Sequence, residues 1–157
     1  MAIVVARIDD RLVHGQVTTN WVRSNDIQVI VVVDDKLATD EIQISVLKMA
    51  APSNIKLYVL PVDKFTEKYK AGILDKYRIM LIFNNPFAPL KLIESGIKIN
   101  SVNIGGMRFK EGRRQLTKSV SVTEREAEAI RSIISHGVEV EHRQLQTDTK
   151  VYLKDIL

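Results

Sequence analysis

The chain has 157 residues, 45% hydrophobic and 27% charged, enough for one globular domain with a sizeable core. It contains no cysteine, which excludes disulfides, thiolate catalysis and cysteine-held metals within these residues. Its formal charge of +4, from 23 basic and 19 acidic residues, is a mild excess that suits an anionic ligand without indicating nucleic acid.

No apolar run approaches the ~20 residues that span a bilayer, and the N-terminus has no secretory leader pattern. A cytoplasmic location is therefore expected. There is no internal repeat, low-complexity block or long linker, so the expectation is a single domain over residues 1–157.

The first apolar run, "AIVVARI" (Ala2 to Ile8), is too short for a helix and reads as a buried strand. It leads into "RIDDRLVHGQV" (Arg7 to Val17), and a helix pattern runs from Gly15 to Ser24 with Val17, Trp21 and Val22 on its apolar side. Further strand-like runs are "VIVVVD" (Val29 to Asp34), "IKLYVL" (Ile55 to Leu60), "RIMLIF" (Arg78 to Phe83) and "SVNIGG" (Ser101 to Gly106). Their near-continuous apolar character predicts burial on both faces of a parallel sheet. Between them, Ile42, Val46, Met49 and Ala50 recur at helical spacing, and Asn85-Pro86 reads as an N-cap followed by proline at the first helical position. "TERE" (Thr123 to Glu126) is a capping-box pattern, followed by the stripe Ala127, Ile130, Ile133, Ile134 and a closing Gly137. "VEVEHRQLQ" (Val138 to Gln146) begins with strict alternation and predicts one or two edge strands, antiparallel ones being possible this late in the chain. A short terminal helix is expected after Asp148. The fold class that follows is α/β: an open, largely parallel twisted sheet with helices on both faces.

In such sheets ligands bind outside the carboxyl ends of the strands, where Asp9 to His14 fall. His14 directly precedes Gly15 and Gln16 at the start of a helix, whose free N–H groups favour an anion. Arg11 supplies a forked donor three residues earlier. A nucleophilic imidazole, an anion cradle and an arginine together point to phosphoryl transfer through phosphohistidine. Without that context, His14 and Arg11 are an ordinary loop histidine and a solvated arginine. Arg7 either reaches the site or marks the polar end of the strand. Asp9 and Asp10 cap the loop, orient His14 or Arg11, or hold the metal of a receiver-type signalling module. The last reading lacks an aspartate after the third run and a lysine after the fifth, where Leu60-Pro61 and Gly105-Gly106 stand.

Asp34-Asp35 and Asn84-Asn85 end two other strands and border the same crevice, with loop and cap chemistry as their simplest role. Gly105-Gly106 permits a tight turn or a close backbone approach to phosphate. "RFKEGRR" (Arg108 to Arg114) is the densest basic stretch and reads as a solvated loop. Its one aromatic, Phe109, is too little for a nucleic-acid face, so no nucleic-acid partner is expected. Trp21 reads as core, and His136 and His142 as structural. No "GxxxxGK[ST]" or "GxGxxG" loop occurs, and no metal or cofactor is expected.

"RIDDRLVHGQV" resembles the active-site loop of the enzyme IIB components of the mannose/fructose/sorbose class of the bacterial phosphoenolpyruvate-dependent sugar phosphotransferase system. "VVVDD", the Asn-Pro segment and "VNIGGM" (Val102 to Met107) follow in that family's order. The resemblance implies that His14 takes a phosphoryl group on Nδ1 from a phosphorylated IIA component. It also implies transfer onward to a sugar carried by a IIC/IID membrane permease, with which the protein associates peripherally. Arg11 matches the arginine of the motif, and Asp10, Gly15 and Gln16 match its neighbours. Arg11, Gly15 and Gln16 are then the phosphate-binding candidates and Asp10 the orienting candidate. Val13 stands where the family often has isoleucine. No fused IIA domain is expected within these residues. The sugar and the oligomeric state are not legible.

Overall fold

The computed structural model describes residues 2–157. The expected strands form at Ile3–Asp9 (β1), Val29–Val33 (β2), Lys56–Leu60 (β3), Ile79–Phe83 (β4) and Ser101–Gly106 (β5). Two short strands, Arg114–Gln115 (β6) and Ser121–Val122 (β7), pair antiparallel apart from the main sheet. Glu139–His142 (β8) and Val151–Tyr152 (β9) complete a seven-stranded sheet of order β3-β2-β4-β1-β5-β8-β9. All its pairings are parallel except β8 with β9. The late edge is therefore antiparallel, as the alternation near Val138 allowed. The expected terminal helix is replaced by β9 and a single 3-10 turn, Leu153–Asp155, because Val151 and Tyr152 pair with the edge of β8.

Helices Gly15–Ser24 (α1) and Glu41–Ala50 (α2) cover one face; Val62–Lys70 (α3), Phe87–Glu94 (α4) and Glu124–Ser135 (α5) cover the other. Each central strand divides its side chains between two cores. In β4, Ile79, Leu81 and Phe83 join the α3/α4/α5 core, while Met80 and Ile82 join the α1/α2 core. This two-sided burial is why the strands read as unbroken apolar runs. Among the described residues no helix is long and apolar enough to cross a membrane.

Two local expectations change. The stripe Ile42, Val46, Met49 of α2 faces solvent, at 77%, 54% and 86% exposure, and Leu47 is the buried residue. The helix meets the sheet through Leu47, with Ala51 just past its end packed on the same core. Pro86, not Asn85, occupies the N-cap of α4, although Asn85 Oδ1 still accepts from the N–H groups of Phe87 and Ala88. Helix α3 had no sequence reading; Asp35 Oδ1 accepts the Val62 N–H at its start, 2.9 Å.

Arg7, Asn103 and Glu141 stand in register on β1, β5 and β8, beneath α1. Arg7 donates to Asn103 Oδ1 (2.7 Å) and to Asp9 Oδ2 (3.0 Å); Asn103 donates to Glu141 Oε1 (3.0 Å), and Glu141 receives the Arg143 fork (2.9 and 3.1 Å). Both guanidinium groups lie near the Trp21 ring, Arg7 5.1 Å and Arg143 5.2 Å from its centroid. Its indole N–H donates to the Gln144 carbonyl. Two positive and two negative side chains thus cancel inside the fold, each held by hydrogen bonds. Burial pulls the Arg7 guanidinium below its ordinary pKa, against the raising pull of Asp9.

The close approach at Gly105 is made by this network. A Cβ there would run into the Arg7 guanidinium and lie 2.7 Å from Asp9 Oδ2. A second anchor ties α5 to the opposite side of the β1 loop. Arg113 is buried, unlike its neighbours in the basic stretch, and pairs through two nitrogens with Glu126 (3.0 and 2.9 Å) and through a third with Asp10 (3.2 Å). Burial works against its charge, but the bonds to Glu126 and Asp10 hold its pKa above the ordinary value. Glu126 also completes the capping box with Thr123.

Two outcomes follow from these anchors. Gly105→Ala should lower stability by about 1–3 kcal/mol in urea unfolding, since neither the strand nor the buried guanidinium has room to move. Burial raises the Glu126 carboxyl, but the Arg113 and Thr123 hydrogen bonds outweigh it and hold the group below its usual range. A depressed carboxylate stabilises the fold above its unfolded value, about 4.3, and that contribution fades as pH falls through the lower folded value. The stability gap between wild type and Glu126→Gln should therefore be full at neutral pH and close in acid. Urea midpoints measured across pH test this, and a gap independent of pH would contradict it.

Candidate functional site

The chain leaves β1 toward α1 and β2 on one side, and leaves β5 toward β8 on the other. The carboxyl ends of β1 and β5 therefore open at a topological switch point, where a crevice forms. Two loops meet there. One is Asp10 to His14; the other runs from Met107 to Val120. Asp10 N–H donates to the Gly106 carbonyl and Met107 N–H to that of Ser119, so both loops are tied to the sheet end.

Asp9 organises the first loop. It is fully buried. Its Oδ1 accepts from the Arg11 N–H at 3.0 Å, and its Oδ2 accepts from Arg7 at 3.0 Å. The Leu12 N–H returns to the Asp9 carbonyl, and Leu12 takes a left-handed backbone (φ 58°) that non-glycine residues seldom adopt. Gly15 is left-handed too (φ 46°), so the histidine lies between two reversals of the chain.

His14 is the N-cap residue of α1. Its N–H donates to Thr18 Oγ1 (2.8 Å), and the Thr18 hydroxyl donates back to the His14 carbonyl (3.2 Å). Thr18 is buried and fixes the backbone of the nucleophile candidate; sequence reading missed it, although a hydroxyl four residues into the helix was its available sign. The N–H groups of Gly15 and Gln16 belong to the first turn, where a helix offers them no internal acceptor. Gln16 also lines a groove with Thr19 and Arg23.

The ring of His14 is 22% exposed. Nε2 is buried without a hydrogen-bond partner, 3.9 Å from Asp9 Oδ2. Nδ1 lies 3.2 Å from the Leu12 carbonyl. Asp9, not Asp10, is thus the acid that faces the imidazole. Asp10 Oδ2 instead accepts from the Arg108 N–H (2.7 Å) and from Arg113, which places it between the two loops. The two aspartates are held by different arginines, and among the described residues no group of three His, Cys, Asp or Glu could hold a metal ion.

Arg11 is 43% exposed at its side chain, with Nε 3.7 Å from Asp9 Oδ1. It lines a depression of about 430 Å³ together with Asp9, Gly105, Gly106, Arg108 and Lys118. Cations from both loops therefore face one concavity, whose floor is glycine backbone. Asp34 and Asn85 bridge the ends of β2 and β4 (3.3 Å), which is the loop chemistry expected of them. His136 and His142 each place Nδ1 on a backbone carbonyl, at 2.8 and 2.7 Å, and both lie outside the crevice contacts.

Comparison with known proteins gives this geometry a context. Residues 3–157 match the family model of the phosphotransferase-system sorbose subfamily IIB component. The chain is 42% identical over its whole length to the fructose-specific EIIB component of Bacillus subtilis, covering 96% of that protein. It is 40% identical to the mannose-specific EIIAB component of Escherichia coli, of which it spans about half, 49%. The crystal structure of the IIBSor domain of the sorbose permease from Klebsiella pneumoniae superposes with a TM-score of 0.94 at 35% identity, over 99% of this chain and 95% of that one. The chain belongs to the sorbose-type IIB component family of the phosphotransferase system.

Proposed function

We propose that this chain is a phosphocarrier that accepts a phosphoryl group from a phosphorylated IIA component on His14 and passes it to a sugar held by a IIC/IID permease. It acts as one IIB domain over residues 1–157, in the cytoplasm, docking at the membrane only through the permease. The observation that carries the reading is the His14 ring. Its Nε2 is buried 3.9 Å from Asp9 Oδ2, while Nδ1 rests 3.2 Å from the Leu12 carbonyl, a contact that attack through Nδ1 must first release.

The chemistry follows from that orientation. A neutral imidazole with its proton on Nε2 presents a lone pair at Nδ1. The lone pair forms the new N–P bond as the N–P bond on the donor histidine breaks, and the donor ring recovers its lone pair. His14 keeps its Nε2 proton, so its ring becomes cationic, and Asp9 lies where it stabilises that charge. Turning the ring away from the Leu12 carbonyl frees Nδ1 for attack. Arg11 and the N–H groups of Gly15 and Gln16 take the phosphoryl oxygens at the positive end of α1. Positioning and charge stabilisation supply the catalysis, and the loose transition state asks little else of the protein. Affinity for the phosphate stays moderate because the site is open and must give the group away.

His14→Ala should take up no phosphoryl group in a coupled assay running from phosphoenolpyruvate through the general components and cognate IIA, with an unchanged far-UV spectrum. Wild-type label should be lost in acid and kept in base. Base-labile label would indicate an acyl phosphate on aspartate and defeat the proposal. Asp9→Asn should slow uptake by roughly a hundredfold or more, since the ring loses both its orientation and its counter-charge. Asp10→Asn should have a much smaller effect on the chemical step.

A further inference from the structure

The loop from Met107 to Lys118 holds an unexplained investment. Phe109 is 67% exposed at the rim of the crevice, with no packing partner in either core. A loose loop would let such a side chain fold down. This loop is fixed on both sides of it. The Arg108 N–H donates to Asp10 at 2.7 Å, the Arg108 carbonyl accepts from Arg113 at 2.7 Å, and the Arg113 N–H donates to the Lys110 carbonyl at 3.0 Å. A buried arginine with two carboxylate partners thus holds a phenylalanine out in water.

The setting of Phe109 is equally specific. It is shared by two depressions, one with Asp10, Asn84 and Arg113, the other with Asp9, Arg11 and the two glycines. Arg108, Lys110 and Lys118 surround it, all exposed, and Glu111 is the single acid between Met107 and Lys118. Arg108 is 73% exposed and Arg11 43% at their side chains. One protruding aromatic in a ring of cations, with a hollow on each side, is relief that interlocks with a protein surface. An anionic membrane face would call for a broader, flatter basic patch.

Building on the carrier reading, we infer that Phe109 with Arg108, Lys110 and Lys118 is the docking element for the phosphorylated donor. Its complement is an apolar socket rimmed by carboxylates beside the donor's phosphohistidine. An aromatic anchor in a socket supplies affinity, and opposite charge supplies rapid and selective encounter. The arrangement also favours turnover. Before transfer the phosphoryl charge of about −2 is on the donor, facing the cations of this chain. After transfer it lies on His14 beside those cations, which lose their attraction for the emptied donor. The loop therefore distinguishes loaded donor from spent donor.

The test uses the full chain, cognate IIA in phosphorylated and unphosphorylated form, and permease membranes with sugar. Phe109→Ala should raise the KM for phosphorylated IIA about tenfold or more with kcat little changed, the size typical of losing an interface anchor. The double variant Lys110→Glu/Lys118→Glu should flatten the salt dependence of the transfer rate and remove the preference for phosphorylated over unphosphorylated IIA. Hydrolysis of phosphorylated His14 should be unaffected by Phe109→Ala, because that change removes no charge from the site. Unchanged KM in both variants would overturn the inference. So would a defect confined to the permease step, or binding to anionic vesicles that the same substitutions abolish. Failure of wild type to take up any phosphoryl group would instead overturn the carrier reading itself.

Discussion

The site depends on a positive charge buried under a tryptophan. Arg7 points into the α1 side of the sheet because it alternates with Ala6 and Ile8, which face the other core. Having been placed there, it must be paired. Asp9, two residues on and on the same side, is its charge partner, and Asn103 meets it from the next strand. The carboxylate that neutralises Arg7 is the same one that arranges the Arg11 N–H and faces His14 Nε2. A structural pairing inside the sheet thereby fixes the carboxylate that faces the His14 ring.

Around that centre the fold is arranged by exclusion. Gly105 has no side chain because the guanidinium and the Asp9 carboxylate occupy the space where one would lie. Glu141, fully buried, joins β8 to the network and holds Arg143, whose guanidinium lies 5.2 Å from the Trp21 ring. On the far side of the crevice Arg113 does comparable work with Asp10 and Glu126. The two acids of the Asp9-Asp10 pair thus divide between two anchors, one facing the imidazole and one fastening the neighbouring loop.

Much of this was legible in the sequence. Five apolar runs became the five parallel strands β1 to β5, and the span Gly15–Ser24 matched α1 to the residue. The strand-end rule placed His14 and Arg11 at the crevice. What failed to show were features that depend on contacts between distant strands. Glu141 sits in a clean alternating pattern that reads as a solvated face, and nothing local says that Asn103 and Arg143 cover it. Arg113 looked like its exposed neighbours, since its partners are Asp10, 103 residues earlier, and Glu126 on another element. The order of roles within Asp9-Asp10 was hidden because parity on β1 decides it. In α2 the periodic stripe Ile42, Val46, Met49 lost to the single contact of Leu47, because packing on the sheet and not periodicity decides which side of a helix is covered.

The strand order has a consequence for how the protein is made. β1 leaves the ribosome before the strands that flank it, β4 at 79–83 and β5 at 101–106, and Glu141 comes later still. Until those segments emerge, β1 has two open edges and Arg7 has no strand beside it. Pairings so distant in sequence are slow to form, and the nascent chain waits with a hydrophobic strand uncovered. The loop after β1 is therefore made early and completed late. A chain cut between α1 and β8 would carry every residue of the His14 loop and still lack Glu141, which closes the network beneath it.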